Sequence, residues 1–134
     1  MASIFEPLGI AWAGLFAGSL PTLTAFYKNL GFQVLAADDN YCLMDAGSGS
    51  HFEIWSKGAA RSMRKTPSEQ SVLVGFRVAR LEPVVSDWME RGVMPIGAIE
   101  SDGGTRWIHY VDPEGNRFEL KDLRGEGQES QRPA

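Results

Sequence analysis

Cysteine and histidine are scarce in this sequence. Cys42 is the single cysteine, which excludes an internal disulfide and predicts a reducing compartment, the cytoplasm. Histidine occurs only twice, at His51 and His109. Glycine-rich phosphate loops, nucleophile-elbow motifs and paired CxxC motifs are absent, so the common signatures of nucleotide, acyl-transfer and thiol redox chemistry are missing.

Positive charge is also in the minority. The net charge of -4 and the pI near 5.1 argue against binding to nucleic acid or to an anionic membrane surface. The N-terminal segment lacks the basic residues of a signal peptide, and its apolar stretch is too short to span a bilayer. The chain is therefore expected to form one globular domain of 134 residues, rich in aromatic side chains.

Apolar periodicity predicts two helices and eight strands. One helix follows Ser19, a capping residue, and ends at Gly31; the other runs from Leu81 to Gly92 with Trp88 on its core face. Turn residues separate the strand candidates, which cover residues 8–18, 32–37, 41–46, 51–55, 71–79, 93–99, 105–111 and 116–123.

The order of elements repeats along the chain. A shift of 61 residues aligns GLFAGSLPTLTAFYKNLGF with GFRVARLEPVVSDWMERGV without a gap. It places Gly14 on Gly75 and Tyr27 on Trp88. The sequence therefore predicts an α+β fold of two βαβββ modules, whose curved mixed sheets enclose a barrel-like cavity. Module one covers about residues 8–58, a linker about 59–70, module two about 71–122 and a flexible tail 123–134.

Strand alternation predicts which side chains face this cavity. In HFEIW, Phe52 and Ile54 suit the core under the helix, so the residues between them point the other way. The segment DPEGN has the composition of a tight turn, and it sets a register that pairs Val111 with Arg117 and therefore His109 with Glu119. The inward-facing candidates are His51, Glu53, Trp55, Arg117, Glu119 and Lys121.

The paired βαβββ modules, the AFYKNLGF helix exit and the VDPEGNRFEL hairpin resemble the vicinal oxygen chelate superfamily. That superfamily includes glyoxalase I, extradiol dioxygenases, fosfomycin-modifying enzymes and bleomycin-resistance binding proteins. The resemblance covers roughly residues 8 to 122. It implies a ligand cavity between the modules and a homodimer.

The resemblance also implies four metal-ligand positions, at the first and last strands of the two modules. The two glutamates are kept, as Glu53 and Glu119, but the other two positions hold Trp12 and Leu73, which have no usable lone pair. Two carboxylates without an imidazole would hold a divalent ion weakly. The resemblance is therefore closest to the metal-free bleomycin-resistance-like proteins, and no cofactor is expected.

Three tryptophans are the principal site candidates. Trp12, Trp55 and Trp107 are expected to form a stacking box for a planar or cationic ligand, although they could instead fill the core or a dimer interface. The first hypothesis is non-catalytic binding or sequestration of a bulky aromatic or cationic small molecule, such as an antibiotic. Further ligand-binding candidates on the cavity wall are Glu53, Glu119, His51, His109 and Leu73.

Two alternatives are catalytic. One is a metal-dependent lyase, transferase or dioxygenase with a rearranged divalent metal site at Glu53 and Glu119, supported by His51 or His109. The other is metal-free acid–base catalysis by Glu53 or Glu119, which needs a carboxylate with a raised pKa. Arg77 and Arg106 are possible anion partners, but no spacing signal supports a role for either.

Overall fold

The computed structural model describes residues 4–6, 8–56 and 72–123, and it confirms the α+β fold with two βαβββ modules. The predicted linker and nearly all of the predicted tail lie outside the described residues. The elements in chain order are β1 Trp12–Ala17, α1 Leu20–Leu30, β2 Val34–Ala37, β3 Tyr41–Gly47, β4 Ser50–Ser56, β5 Val74–Val78, α2 Leu81–Glu90, β6 Glu100–Ser101, β7 Arg106–Val111 and β8 Arg117–Asp122.

Each module forms its own four-stranded sheet. The strand order is β1-β4-β3-β2 in the first sheet and β5-β8-β7-β6 in the second. In both sheets the first and last strands of the module pair in parallel, and the other strands pair antiparallel. The two sheets do not close into the barrel that the sequence predicts, because within the described residues β1 and β5 remain edge strands without a sheet neighbour on their outer side.

The predicted strand over residues 93–99 is wrong. In the structure the sixth strand is Glu100–Ser101 alone, and the preceding segment contacts β7 through a backbone hydrogen bond from Ile96 N to the carbonyl of His109. Pro95 lacks an amide hydrogen and Gly97 lacks a side chain to pack, so this apolar segment is a poor continuous partner for β7.

The first helix begins and ends as the sequence predicts. The Ser19 hydroxyl accepts a hydrogen bond from Thr22 N at 3.3 Å, and Gly31 ends the helix with a φ of 112°, which a side chain would disfavour. The second helix begins differently. Its first amide, on Leu81, donates to the buried carboxylate of Asp122 at 2.9 Å, so the cap comes from the last strand.

Aromatic side chains make the core that joins the modules. Phe52 and Phe76, one from each sheet, have ring centroids 5.2 Å apart. Tyr27 and Trp88, which the 61-residue shift aligns, each send a hydrogen bond to the other module. The Tyr27 hydroxyl donates to Asp112 at 2.8 Å, and the Trp88 indole donates to the carbonyl of Leu30 at 2.9 Å.

The turn after β7 also ties the modules together. Asp112 is only 1% exposed, and its carboxylate accepts hydrogen bonds from the Tyr27 hydroxyl, from Glu114 N and from the amide groups of Asn116. Burial, reinforced by the neighbouring Asp112 carboxylate, raises the pKa of Tyr27 well above its ordinary value of 10.0. Tyr27 therefore keeps its proton, and its hydrogen bond to Asp112, at alkaline pH as well as at neutral pH.

Glu114 attaches the same turn to the first helix. Its carboxylate oxygens accept from Gly18 N at 3.0 Å and from Ser19 N at 2.8 Å, at the positive end of the helix. The DPEGN turn thus does more than set the register of a hairpin, because it fixes module two against the start of helix α1. Neither helix in the described part of the chain is long and apolar enough to cross a membrane.

Candidate functional site

The edge strands β1 and β5 border a cavity of about 980 Å³. The turn between β3 and β4 and the end of β8 complete its described wall. Its lining is mostly apolar, and three of the predicted site residues lie in it: Trp12, His51 and Leu73. Trp12 and His51 lie side by side, because they are direct partners in the parallel pair of β1 and β4. Strand alternation predicts that both face the cavity.

The Trp12 ring packs over Gly14, in the space that a side chain at that position would occupy. A Cβ atom placed on Gly14 would lie 2.4 Å from Cζ3 of the Trp12 ring, so the indole lies across the glycine. Trp12 remains 52% exposed. A large aromatic surface is therefore oriented by the backbone of β1 while one side stays available for contact, which is the arrangement that a stacking partner needs.

Trp55 and Glu53 lie on the first sheet, outside the cavity lining. The Trp55 indole donates to Glu53 Oε1 at 2.9 Å, and its ring stacks on Tyr41 with centroids 5.0 Å apart and planes 21° apart. Trp55 is the register partner of Phe16, which is 61% exposed. These residues form a second aromatic surface, on the face turned away from helix α1.

Trp107, His109 and Glu119 lie on the corresponding face of the second sheet. His109 Nε2 is 2.9 Å from Glu119 Oε2, and the two residues are direct partners in the register predicted from the DPEGN turn. The amine of Lys121 lies 5.8 Å from the centre of the Trp107 ring. Of the three tryptophans that the sequence predicts to form a stacking box, Trp12 is among the described residues that line this cavity, and Trp55 and Trp107 are not.

Phe76 and Arg77 line the cavity but are not among the ligand-binding residues that the sequence predicts. Phe76 joins the cavity to the aromatic core, and Arg77 is the single charged residue of the described lining. A signal for Arg77 was present in the sequence, because it lies two residues after Gly75, on the same strand face, and the 61-residue shift aligns Gly75 with Gly14. Arg106, by contrast, binds Glu82 and the buried Asp122, and these hydrogen bonds raise its pKa.

Comparison with known protein families gives a match over most of the chain. The model of the Glyoxalase/Bleomycin resistance protein/Dioxygenase superfamily matches residues 9–120. The chain belongs to this superfamily. The match includes most of both modules and the DPEGN turn, so it agrees with the resemblance found in the sequence. A comparison with curated proteins finds no match.

Solved structures share the superfamily fold at low sequence identity. A glyoxalase/bleomycin resistance protein from Catenulispora acidiphila DSM 44928 aligns with a TM-score of 0.65 and 21% identity, over 84% of this chain and 96% of its own. A glyoxalase family protein from Bacillus anthracis gives 0.70 and 17%, over 92% and 99%. A bleomycin-binding protein complexed with bleomycin gives 0.67 and 20%, over 85% and 98%.

The metal that many superfamily members use does not fit this donor set. Trp12 and Leu73 stand at two of the four ligand positions that the family resemblance implies, and both side chains line the cavity. Among the residues that the structure describes, no group of three or more His, Cys, Asp or Glu side chains could hold a metal ion. Of the rearranged metal site, His109 and Glu119 lie together, with Nε2 and Oε2 2.9 Å apart, whereas Glu53 accepts a hydrogen bond from the Trp55 indole.

Proposed function

We propose that the protein binds and sequesters a bulky aromatic small molecule, with an antibiotic as one possible ligand, and does not transform it. The observation that carries the proposal is the Trp12 ring, which lies across Gly14 on the wall of a cavity of about 980 Å³. This volume falls within the range of drug-sized ligand sites, roughly 300–1,000 Å³. Stacking on the indole and burial of apolar surface would supply the affinity.

The superfamily membership and the fold shared with the bleomycin-binding protein support a binding role. The donor set supports it as well, because tryptophan and leucine cannot replace metal-ligating histidines. The described cavity lining contains no carboxylate, so it provides no counter-ion for a cationic ligand. The aromatic form of the binding hypothesis is therefore better supported than the cationic form.

A titration after metal removal tests this proposal. Protein treated with EDTA and then desalted is titrated with bleomycin and with N-phenyl-1-naphthylamine, a neutral bulky aromatic probe, while fluorescence is followed. We expect saturable binding of at least one compound, with the same dissociation constant before and after chelation. Binding that disappears with EDTA, returns with nickel, zinc, manganese or iron, and is absent from Glu119→Gln would support the metal-dependent alternative instead.

The proposed state is a homodimer. Large apolar side chains are exposed along the N-terminal segment and β1, including Ile4, Phe5, Leu8, Ile10 and Phe16, and burial by a second copy would remove this surface from water. Sedimentation velocity should then show a dimer for the wild type and a monomer for Phe16→Glu. A wild-type monomer across the whole concentration series would contradict the dimer. The single cysteine supports a cytoplasmic location, which cell fractionation would test.

A further inference from the structure

Both sheets place a glutamate beside a glycine on the face turned away from the helix. Glu53 is the direct partner of Gly14 in the pairing of β1 and β4, and Glu119 is the direct partner of Gly75 in the pairing of β5 and β8. The 61-residue shift aligns the two glycines. The surroundings of the two carboxylates can therefore be compared position by position.

The second sheet supplies partners for its own carboxylate and its own tryptophan. His109 is the other direct partner of Glu119, and its Nε2 is 2.9 Å from Glu119 Oε2. Two residues further along β8, the amine of Lys121 lies 5.8 Å from the centre of the Trp107 ring. The carboxylate thus has a histidine beside it, and the tryptophan has a cation over it.

The equivalent positions of the first sheet hold neither partner. Leu43 takes the position of His109, and Trp55 takes the position of Lys121. Glu53 is partly buried, and in the described part of the chain its one polar contact is the Trp55 indole, which donates to Oε1 at 2.9 Å. A partly buried carboxylate without a cation beside it is unfavourable, so a bound cation would stabilise it.

Aromatic rings lie on two sides of this carboxylate. Further along β4, the Trp55 ring stacks on Tyr41 with centroids 5.0 Å apart. On β1, the Trp12 ring lies across the glycine that pairs with Glu53. The faces of aromatic rings attract cations, and an organic cation would be held by the rings and by the carboxylate together. A neutral aromatic compound would instead remove water from the carboxylate without replacing it.

We infer that Tyr41, Glu53 and Trp55 form a second ligand site, which binds an organic ammonium cation. Glu53 is the counter-ion, and the stacked pair of rings contacts the alkyl groups around the positive nitrogen. The described lining of the cavity contains none of these three residues, so the site is separate from the cavity. The inference goes beyond the proposed binding function and does not depend on it.

Two probes of equal shape test the inference. 3-Hydroxyphenyltrimethylammonium and 3-tert-butylphenol differ by a positive nitrogen in place of a carbon, so the pair isolates the contribution of the charge. Binding in buffer with EDTA is followed by NMR, at the indole N–H resonance that disappears in Trp55→Leu. We expect the wild type to bind the cation at least ten-fold more tightly than the neutral phenol.

Two variants assign this preference to the site. Glu53→Gln keeps an acceptor for the Trp55 indole but removes the charge, so it should weaken cation binding roughly ten-fold or more. Trp55→Leu removes one ring and should weaken it several-fold, measured by calorimetry. Neither variant should change the affinity for N-phenyl-1-naphthylamine, the cavity probe, by more than about two-fold.

Asp45→Asn is the control, because Asp45 lies on the same face of the first sheet, opposite His51, and asparagine keeps the acceptor for Gly47 N. We expect it to change cation affinity less than two-fold. An equal loss in Asp45→Asn and Glu53→Gln would reduce Glu53 to general charge attraction and overturn the inference.

Failure of this inference can be told apart from failure of the proposed function. Equal affinity for both probes, or no binding of the cation, would overturn the second site, and saturable binding of N-phenyl-1-naphthylamine by the same protein would leave the cavity proposal intact. A wild-type dimer that excludes the cation and dissociates in Glu53→Gln would assign this surface to a second copy of the chain instead.

Discussion

Replacing Asp112 with alanine is expected to lower the free energy of unfolding by about 3–4 kcal/mol. The carboxylate is almost fully buried and accepts from the Tyr27 hydroxyl, from two backbone amides and from the Asn116 side chain. Alanine removes the acceptor and leaves these buried donors without it, and an unsatisfied buried donor costs more than a hydrogen bond contributes. Urea denaturation followed by tryptophan fluorescence measures the effect.

Asp102→Ala is the matched control for this prediction. Asp102 is also an aspartate in a turn, but it is exposed and accepts from the Thr105 hydroxyl at 3.1 Å. Its replacement should change the free energy of unfolding by no more than about 0.5 kcal/mol. If Asp112→Ala were as mild as the control, the DPEGN turn would be a local feature and would not hold the modules together.

Replacing Trp12 with alanine is expected to weaken binding of N-phenyl-1-naphthylamine at least 30-fold, the effect of losing roughly 2 kcal/mol or more at an aromatic hot spot. The indole is the largest side chain on the β1 side of the cavity, and Gly14 gives it the space to lie flat. Alanine removes the stacking surface without changing charge. Fluorescence titration of the probe gives both dissociation constants.

Trp107→Ala is the appropriate comparison, because Trp107 is a tryptophan of the second sheet that does not line the cavity. It should leave the affinity for the probe within about two-fold of the wild type, since rim or distant contacts contribute little. The reverse pattern, with Trp107→Ala damaging and Trp12→Ala neutral, would move the site to the face of the second sheet.

Much of the fold could be predicted because its information is local and repeated. Helix α1 carries its own start at Ser19 and its own stop at Gly31, and both act as expected. The pairing of His109 with Glu119 followed from the length of the DPEGN turn and the two-residue period of strands. The 61-residue repeat identified both modules, because each contains the same order of elements.

The features that could not be predicted depend on contacts between the modules, which no local sequence pattern encodes. Asp112 has the composition of an ordinary turn residue, yet its partner Tyr27 is 85 positions away. Strand parity correctly placed Trp55 and Trp107 opposite the helix-facing side chains, but it could not show that the sheets stay separate.

A crystal structure of the complex with N-phenyl-1-naphthylamine tests the central claim most directly. We expect one ring system of the compound to stack on Trp12, in the cavity between β1 and β5. Electron density for the compound against Trp55 and Tyr41, or against Trp107, with the cavity empty, would contradict it. So would a metal ion bound between Glu53 and Glu119.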